Sequence, residues 1–248
     1  MHHVPKLHTR KSHPSLIATF LVVCAAFGLV VPQMAWSQTD TTTNQATASD
    51  EGSRLLATGV KVYQQGQLSE ATRLWEQARV IFTRELGEDH PRTLASMANL
   101  ANTYGALGQH DKALALNEQT LKHRRTKLGE DHPGTLSSMN NLAITYRTLG
   151  QLDKAMALDE QTLKLRRAKL GEDHPDTLSS MNNLANTYTH LGQHDKALVL
   201  KEQTLKLRRA KLGEDHPDTL TSMSNLAITY RILPVAIWRK TRRCPAWY

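Results

Sequence analysis

The sequence predicts an all-α solenoid, in which short helical hairpins stack along one direction. The first observation is a string, Leu-Gly-Glu-Asp-His-Pro, that returns every 42 residues, at Leu86, Leu128, Leu170 and Leu212. The second is that residues 128–169 and 170–211 are identical at 34 of 42 positions. The chain is therefore built by repeating one unit. Since no stretch alternates apolar and polar residues with a period of two, no β-sheet is expected.

Residues 1–37 have the pattern of a secretory signal peptide. Three basic residues precede an apolar run of 16 residues from Leu16 to Val31, and the small residues Ala35 and Ser37 stand before Gln38. The run is shorter than the roughly 20 residues of a spanning helix, although an uncleaved anchor stays an alternative. We therefore expect an exported protein, periplasmic or extracellular, with no membrane contact once the signal is removed.

Residues 38–50 contain no large apolar side chain, which predicts a flexible polar spacer. The solenoid is expected over residues 51–231. Its predicted repeats are residues 51–85, 86–127, 128–169, 170–211 and an incomplete 212–231.

Each unit is predicted to be a pair of helices, as residues 133–170 illustrate. Pro133 suits the first turn of a helix, and Asp131 or His132 before it can cap that turn. Apolar residues then recur every three or four positions until Gly150, and a second helix begins near Asp153. A lone hairpin cannot cover its own apolar stripe, whereas stacked hairpins can.

The motif Asn-Asn-Leu-Ala-x-x-Tyr-x-x-Leu-Gly-Gln, at residues 140–151 and 182–193, resembles the tetratricopeptide repeat (TPR). The 42-residue period and the repeated connector resemble the kinesin-light-chain type of that repeat. The resemblance implies a right-handed solenoid of antiparallel helix pairs. It also implies a small residue on each first helix, as at Gly59 and Ala143, and an aromatic residue three positions later.

Polar residues depart from that family pattern on the later second helices. Repeat one has the expected Trp75, but the equivalent positions hold Asn117, Asp159 and Lys201. We expect these residues to loosen the packing of the middle repeats.

The Glu-Asp-His part of each connector raises the question of a metal or catalytic site. Repeats in a solenoid are translated copies, so the four clusters should lie along one edge rather than converge on an ion. We therefore interpret them as connector and helix-cap residues. No Gly-rich phosphate loop or nucleophile–base arrangement is recognisable, so we expect no enzyme activity, no cofactor and no metal.

The formal charge of +8 suggests an anionic partner, but its distribution weakens that suggestion. Three basic residues lie in residues 1–37 and four in residues 232–248, without any acidic residue, so the repeats themselves are near neutral. Basic stripes such as Lys164–Lys169 could hold phosphates, but they are interpreted as an outer face balanced by connector acids. We therefore expect no nucleic-acid partner.

In the family, the first helix of each repeat lines a concave groove, and the resemblance implies the same here. Carried over by position, the groove includes Gly105 and the candidate peptide-binding residues Asn102, Asn140, Ile144, Arg147, Asn182, Asn186, Thr189, His190, Ile228 and Arg231. The asparagines could pair with a peptide backbone, and the arginines with acidic ligand side chains. The alternative is that the asparagines only link adjacent first helices.

The last repeat is incomplete, because the pattern ends after Arg231 and residues 232–248 form a divergent basic tail. Two interpretations stay open, a native tail or the product of a frameshift. We expect a non-catalytic scaffold that binds a peptide or partner protein, with self-association through the incomplete repeat as a further expectation. The alternative is a truncated fragment of a longer exported protein with a C-terminal effector or enzyme domain.

Overall fold

The computed structural model describes the backbone of residues 39–232 and the side chains from residue 49. The chain divides into a unit of residues 1–43 and a unit of residues 44–248, and the contacts below belong to the second. The predicted signal peptide and the tail after Ile232 lie outside the described residues.

Within residues 39–232 every regular element is an α-helix, which confirms the all-α solenoid. In chain order the helices are α1 Thr39–Gln64, α2 Leu68–Leu86, α3 Pro91–Ala106, α4 His110–Leu128, α5 Pro133–Thr148, α6 Leu152–Leu170, α7 Pro175–His190, α8 His194–Leu212 and α9 Pro217–Ile232. Odd-numbered helices are the first helices of the hairpins, and even-numbered ones are the second. None of these described helices has the length and apolarity that a membrane span requires.

The connectors begin each first helix in the same way. In the connector before α5, the Nδ1 atom of His132 accepts a hydrogen bond of 3.0 Å from the backbone N–H of Gly134. Pro133 occupies the first turn of that helix. Glu130 accepts hydrogen bonds from Arg125, and Asp131 pairs with Lys169 of the next hairpin at 2.9 Å. The equivalent histidines cap the other described first helices after connectors. These contacts confirm the cap interpretation of the Glu-Asp-His clusters.

Apolar side chains fill the space between each second helix and the first helix that follows it. In one such cluster, Leu163 of α6 packs with Leu178, Met181 and Leu184 of α7. Leu121 of α4 packs in the same way with α5. Each hairpin therefore buries its apolar stripe only by stacking on its neighbours, as the sequence predicts.

The prediction of a flexible spacer at residues 38–50 is wrong from Thr39 onward, where α1 begins. Nothing between Thr39 and Glu51 is a proline or a glycine, so no residue stops the helix. Once the packed part of α1 is formed, each added residue costs little, because propagation needs no new nucleus. The hydroxyl of Ser49 also accepts a hydrogen bond from Arg92 of α3 at 2.9 Å.

Repeat one packs an aromatic residue where later repeats have a polar one. The indole of Trp75 donates to the carbonyl of Leu56 at 3.1 Å and lies against Gly59. A Cβ atom added to Gly59 would lie 2.2 Å from Nε1 of Trp75. The large side chain on α2 therefore requires the smallest one on α1, whereas alanine is accommodated at the equivalent Ala143 of α5.

The polar residues at the position of Trp75 are buried and hydrogen-bonded rather than loosely packed. Each contacts the threonine that lies 28 residues further along, on the next first helix. The contacts join Asn117 to Thr145, Asp159 to Thr187 and Lys201 to Thr229, at 3.0, 2.6 and 2.8 Å. A partner for each buried polar group removes most of the cost of its burial.

Asp159 carries the most strongly perturbed of these groups. Its side chain is 2% exposed, and Nη1 of Arg147 lies 3.7 Å from Oδ2. Burial raises the pKa of its carboxyl to about 6, while the hydrogen bond from Thr187 and the charge of Arg147 partly oppose that rise. The ionised carboxylate is therefore held at a cost at neutral pH.

Helix α9 exposes an apolar face that the earlier first helices bury. Leu220 is 49% exposed, whereas the equivalent Leu136 and Leu178 are each 1% exposed. Within residues 39–232 no second helix follows α9 to cover that face. Self-association through this repeat and derivation from a longer protein both stay predictions.

Gly59→Ala should lower the free energy of unfolding by about 1–3 kcal/mol, because the added methyl group collides with Trp75. Gly105→Ala is the matched control, since a Cβ there meets nothing within 4 Å. It should leave stability unchanged or raise it by up to about 1 kcal/mol. Urea unfolding followed by circular dichroism measures both. Equal effects of the two variants would contradict this packing.

The stability difference between wild type and Asp159→Asn should depend on pH. Because the folded pKa of Asp159 is raised above its unfolded value, the unfolded chain loses its proton first as pH rises. As pH rises from roughly 4 to 6.5, the free energy of unfolding of wild type should therefore fall by up to about 3 kcal/mol relative to that of the variant. Urea midpoints across that range test it, with the exposed Asp153→Asn as control. If the stability of wild type relative to the variant stays constant with pH, or rises, the pKa of Asp159 is not raised in the folded protein.

Candidate functional site

One row of residues faces outward from successive first helices at intervals of 42 positions. We call it the groove row, and its members are Asn102, Ile144, Asn186 and Ile228. Ile144 and Ile228 are 39% and 50% exposed, Asn102 is exposed and Asn186 is half-buried. Ile144 is exposed on α5, which buries Leu136, Met139 and Leu142, whereas Ile228 lies on α9, whose apolar face is open. An exposed isoleucine on a helix that otherwise buries its large apolar residues is the kind of surface a partner can cover.

Two further candidates lie beside the groove row and are exposed, His190 at the end of α7 and Arg231 on α9. Desolvation, together with the cations of Arg147 and Lys201, lowers the pKa of the His190 imidazole. His190 is therefore neutral near pH 7, where it can donate or accept a hydrogen bond.

Asn140 and Asn182 connect adjacent first helices. The amide of Asn183 donates to Oδ1 of Asn140, and the amide of Asn225 donates to Oδ1 of Asn182 at 3.1 Å. The structure therefore favours the linking role that the sequence left open for these two residues, and it occupies one acceptor of each.

Arg147 and Thr189 are turned toward the junctions between repeats rather than toward a ligand. Nη1 of Arg147 donates to Thr187 at 3.0 Å and approaches Asp159, and the arginine side chain is only 13% exposed. Thr189 lies 3.5 Å from the ammonium of Lys201. The expectation that Arg147 pairs with acidic ligand side chains is therefore not supported by its position.

A cavity of about 400 Å³ opens between the first helices α3 and α5. Ala101 and Gly105 line it from α3, and Ile144 and Thr145 from α5, with His110 at the start of α4. Sequence reasoning placed Gly105 in the groove but did not identify a cavity. The available signal was that glycine at 105 stands where the next repeat has arginine at 147.

The basic stripes of the second helices are largely paired within the chain. On α6, Arg166 is 7% exposed and donates to Ser180 and to the carbonyl of Asp176. Arg167 pairs with Glu172, and Lys169 pairs with a connector aspartate. The prediction that connector acids balance the stripe is confirmed, although Arg166 is buried rather than solvated.

Comparisons with known proteins agree with this architecture. Two family models, both described as tetratricopeptide repeat, match residues 135–176 and residues 60–126 and 176–233. A crystal structure of a Podosopora anserina chain, described as a kinesin light chain with nearly identical TPR-like repeats, is 34% identical. It superposes with a TM-score of 0.64, over 74% of this chain and 87% of that one. BtubC (BKLC) from P. vanneervenii superposes with a TM-score of 0.60 over 76% of this chain and 81% of that chain; at 24% identity it shows the fold alone.

Curated relatives match over shorter segments. Protein KINESIN LIGHT CHAIN-RELATED 2 of Arabidopsis thaliana is 39% identical over 66 residues, which are 27% of this chain and 10% of the relative. The matched segment thus spans about a tenth of that protein. By its repeats, its hairpin stacking and these similarities, the chain belongs to the tetratricopeptide repeat family, in its kinesin-light-chain-like type.

Proposed function

We propose that this chain is a non-catalytic scaffold that binds an extended peptide segment of a partner protein along the groove row. The TPR fold is a protein–protein interaction scaffold. The observation that supports this particular surface is the exposure of Ile144 and Ile228 at equivalent positions of α5 and α9. Apolar side chains left exposed on a rigid scaffold are common anchors for partner residues.

The spacing of the groove row suits an extended ligand. Packed helices lie roughly 8–10 Å apart, and an extended chain rises about 3.3 Å per residue. Successive members of the row should therefore meet every third residue of the ligand. Along the row, asparagine alternates with isoleucine, in the order Asn102, Ile144, Asn186 and Ile228. This order favours a ligand that alternates polar and apolar residues at that interval.

Export of the protein is a second proposal, supported by the basic head, short apolar run and small residues of residues 1–37. Expression of the full chain, fractionation and N-terminal sequencing of the secreted form test it. A new N-terminus at Gln38 supports export with cleavage, and retention of the intact chain in the cytoplasm contradicts it.

Ile144→Asp should weaken the binding of peptides selected on the wild-type protein from a random display library. Val199→Asp is the matched control, since Val199 is 62% exposed but lies on the second helix α8. A buried anchor is worth about 2 kcal/mol or more, so we expect Kd to rise at least about thirtyfold for Ile144→Asp and little for Val199→Asp. Calorimetric titration measures both. Comparable losses in the two variants, or loss only in Val199→Asp, would place the ligand elsewhere.

A further inference from the structure

The three described junctions in which a polar residue replaces Trp75 on the second helix, α3–α5, α5–α7 and α7–α9, present equivalent pairs of acceptors. Each pair is a threonine hydroxyl and the backbone carbonyl four residues before it. The pairs are Thr145 with Asn141, Thr187 with Asn183, and Thr229 with Asn225. The hydroxyls of Thr145 and Thr229 donate to these carbonyls. The hydroxyl of Thr187 donates to Oδ2 of Asp159 at 2.6 Å and lies 3.2 Å from the carbonyl of Asn183. Each hydroxyl keeps a lone pair that can accept a hydrogen bond.

At two of these junctions a cation of the chain itself binds the pair. Between α5 and α7, Nη1 of Arg147 lies 3.0 Å from the hydroxyl of Thr187 and 3.5 Å from the carbonyl of Asn183. Between α7 and α9, Nζ of Lys201 lies 2.8 Å from the hydroxyl of Thr229 and 3.5 Å from the carbonyl of Asn225. Two different side chains, one from a first helix and one from a second helix, thus place a positive charge on equivalent acceptors at successive junctions.

At the junction between α3 and α5 both cation positions hold uncharged residues. Gly105 stands in place of Arg147, and Asn117 stands in place of Lys201. The amide of Asn117 donates to Thr145 at 3.0 Å. Asn141 and Thr145 both line the cavity. The cavity volume of about 400 Å³ falls in the range of roughly 300–1,000 Å³ that ligand pockets occupy.

We propose that the cavity beside Gly105 binds the side chain of an arginine supplied by the partner peptide, an inference that rests on the groove function proposed above. The guanidinium donates to the carbonyl of Asn141 and the hydroxyl of Thr145, as Arg147 does to the equivalent pair one repeat later. The aliphatic stem of that arginine lies along Ala101 and Ile144, which line the cavity. An arginine is favoured over a lysine because Arg147 reaches its acceptors from a groove-lining helix, as a ligand in the groove would. Lys201 reaches them from a second helix.

Titration of the isotope-labelled full chain with a short blocked peptide, acetyl-Gly-Gly-Arg-Gly-Gly-amide, tests the proposal by NMR. Saturable shifts are expected at the amides of Gly105, Asn141 and Thr145. The same peptide with citrulline in place of arginine keeps the shape but loses the charge. It should bind about tenfold more weakly, since hydrogen bonds from ionised donors are roughly twice as strong as neutral ones. Equal binding of the two peptides, or the absence of saturable shifts, overturns the proposal.

The double variant Gly105→Arg with Asn117→Asp makes this junction match the α5–α7 junction at both positions. It should fold, because the same combination is accommodated one repeat later, and it should lose the arginine-dependent shifts. If it fails to fold, Gly105→Met fills the same cavity without charge and serves in its place. Unchanged shifts in a folded variant contradict the site.

Two outcomes separate this inference from the groove function. If the display selection yields groove-binding peptides that lack arginine and the arginine peptide does not bind, the cavity assignment fails while the groove function stands. If arginine binds beside Gly105 but Ile144→Asp and Val199→Asp leave selected peptides equally bound, the cavity assignment stands and the groove function fails.

Discussion

Each later junction of this solenoid depends on one buried contact, between a threonine of a first helix and the residue 28 positions earlier on the preceding second helix. The pairs are Asn117 with Thr145, Asp159 with Thr187 and Lys201 with Thr229. Apolar packing holds the hairpins together but is not directional. A hydrogen bond between fixed positions adds direction, and it sets each second helix in register with the first helix that follows it.

The contact explains why nearly identical repeats differ where they do. Position 147 changes from arginine to threonine at 189 in the next repeat, and position 159 changes from aspartate to lysine at 201. In the structure these positions converge on one junction each, so a cation at one position is matched by an acid or a neutral residue at the other. Lysine at 159 beside Arg147 would bury two like charges. Variation that resembles surface diversity therefore includes a charge balance between buried partners.

Much of the fold could be predicted from the sequence, because its determinants are local. Proline and histidine at the helix starts and glycine at the ends act within one turn, and the apolar stripes show which faces must be covered. The helix from Thr39 could not be predicted, since it extends an element stabilised by packing elsewhere. Among the candidate site residues, Ile144 and Ile228 are exposed as expected. Arg147 could not be placed, because periodicity identifies a helix face but not which neighbouring repeat a long side chain contacts.

A double-mutant cycle at one junction tests most directly whether positions 147 and 159 are chosen together. Arg147→Thr and Asp159→Lys combined convert the α5–α7 junction into a copy of the α7–α9 junction. Each single change leaves a buried charge without its partner, which costs about 3–5 kcal/mol. We expect urea unfolding to show the double variant close to wild type, because the two losses of stability largely cancel. Losses that simply add would contradict it.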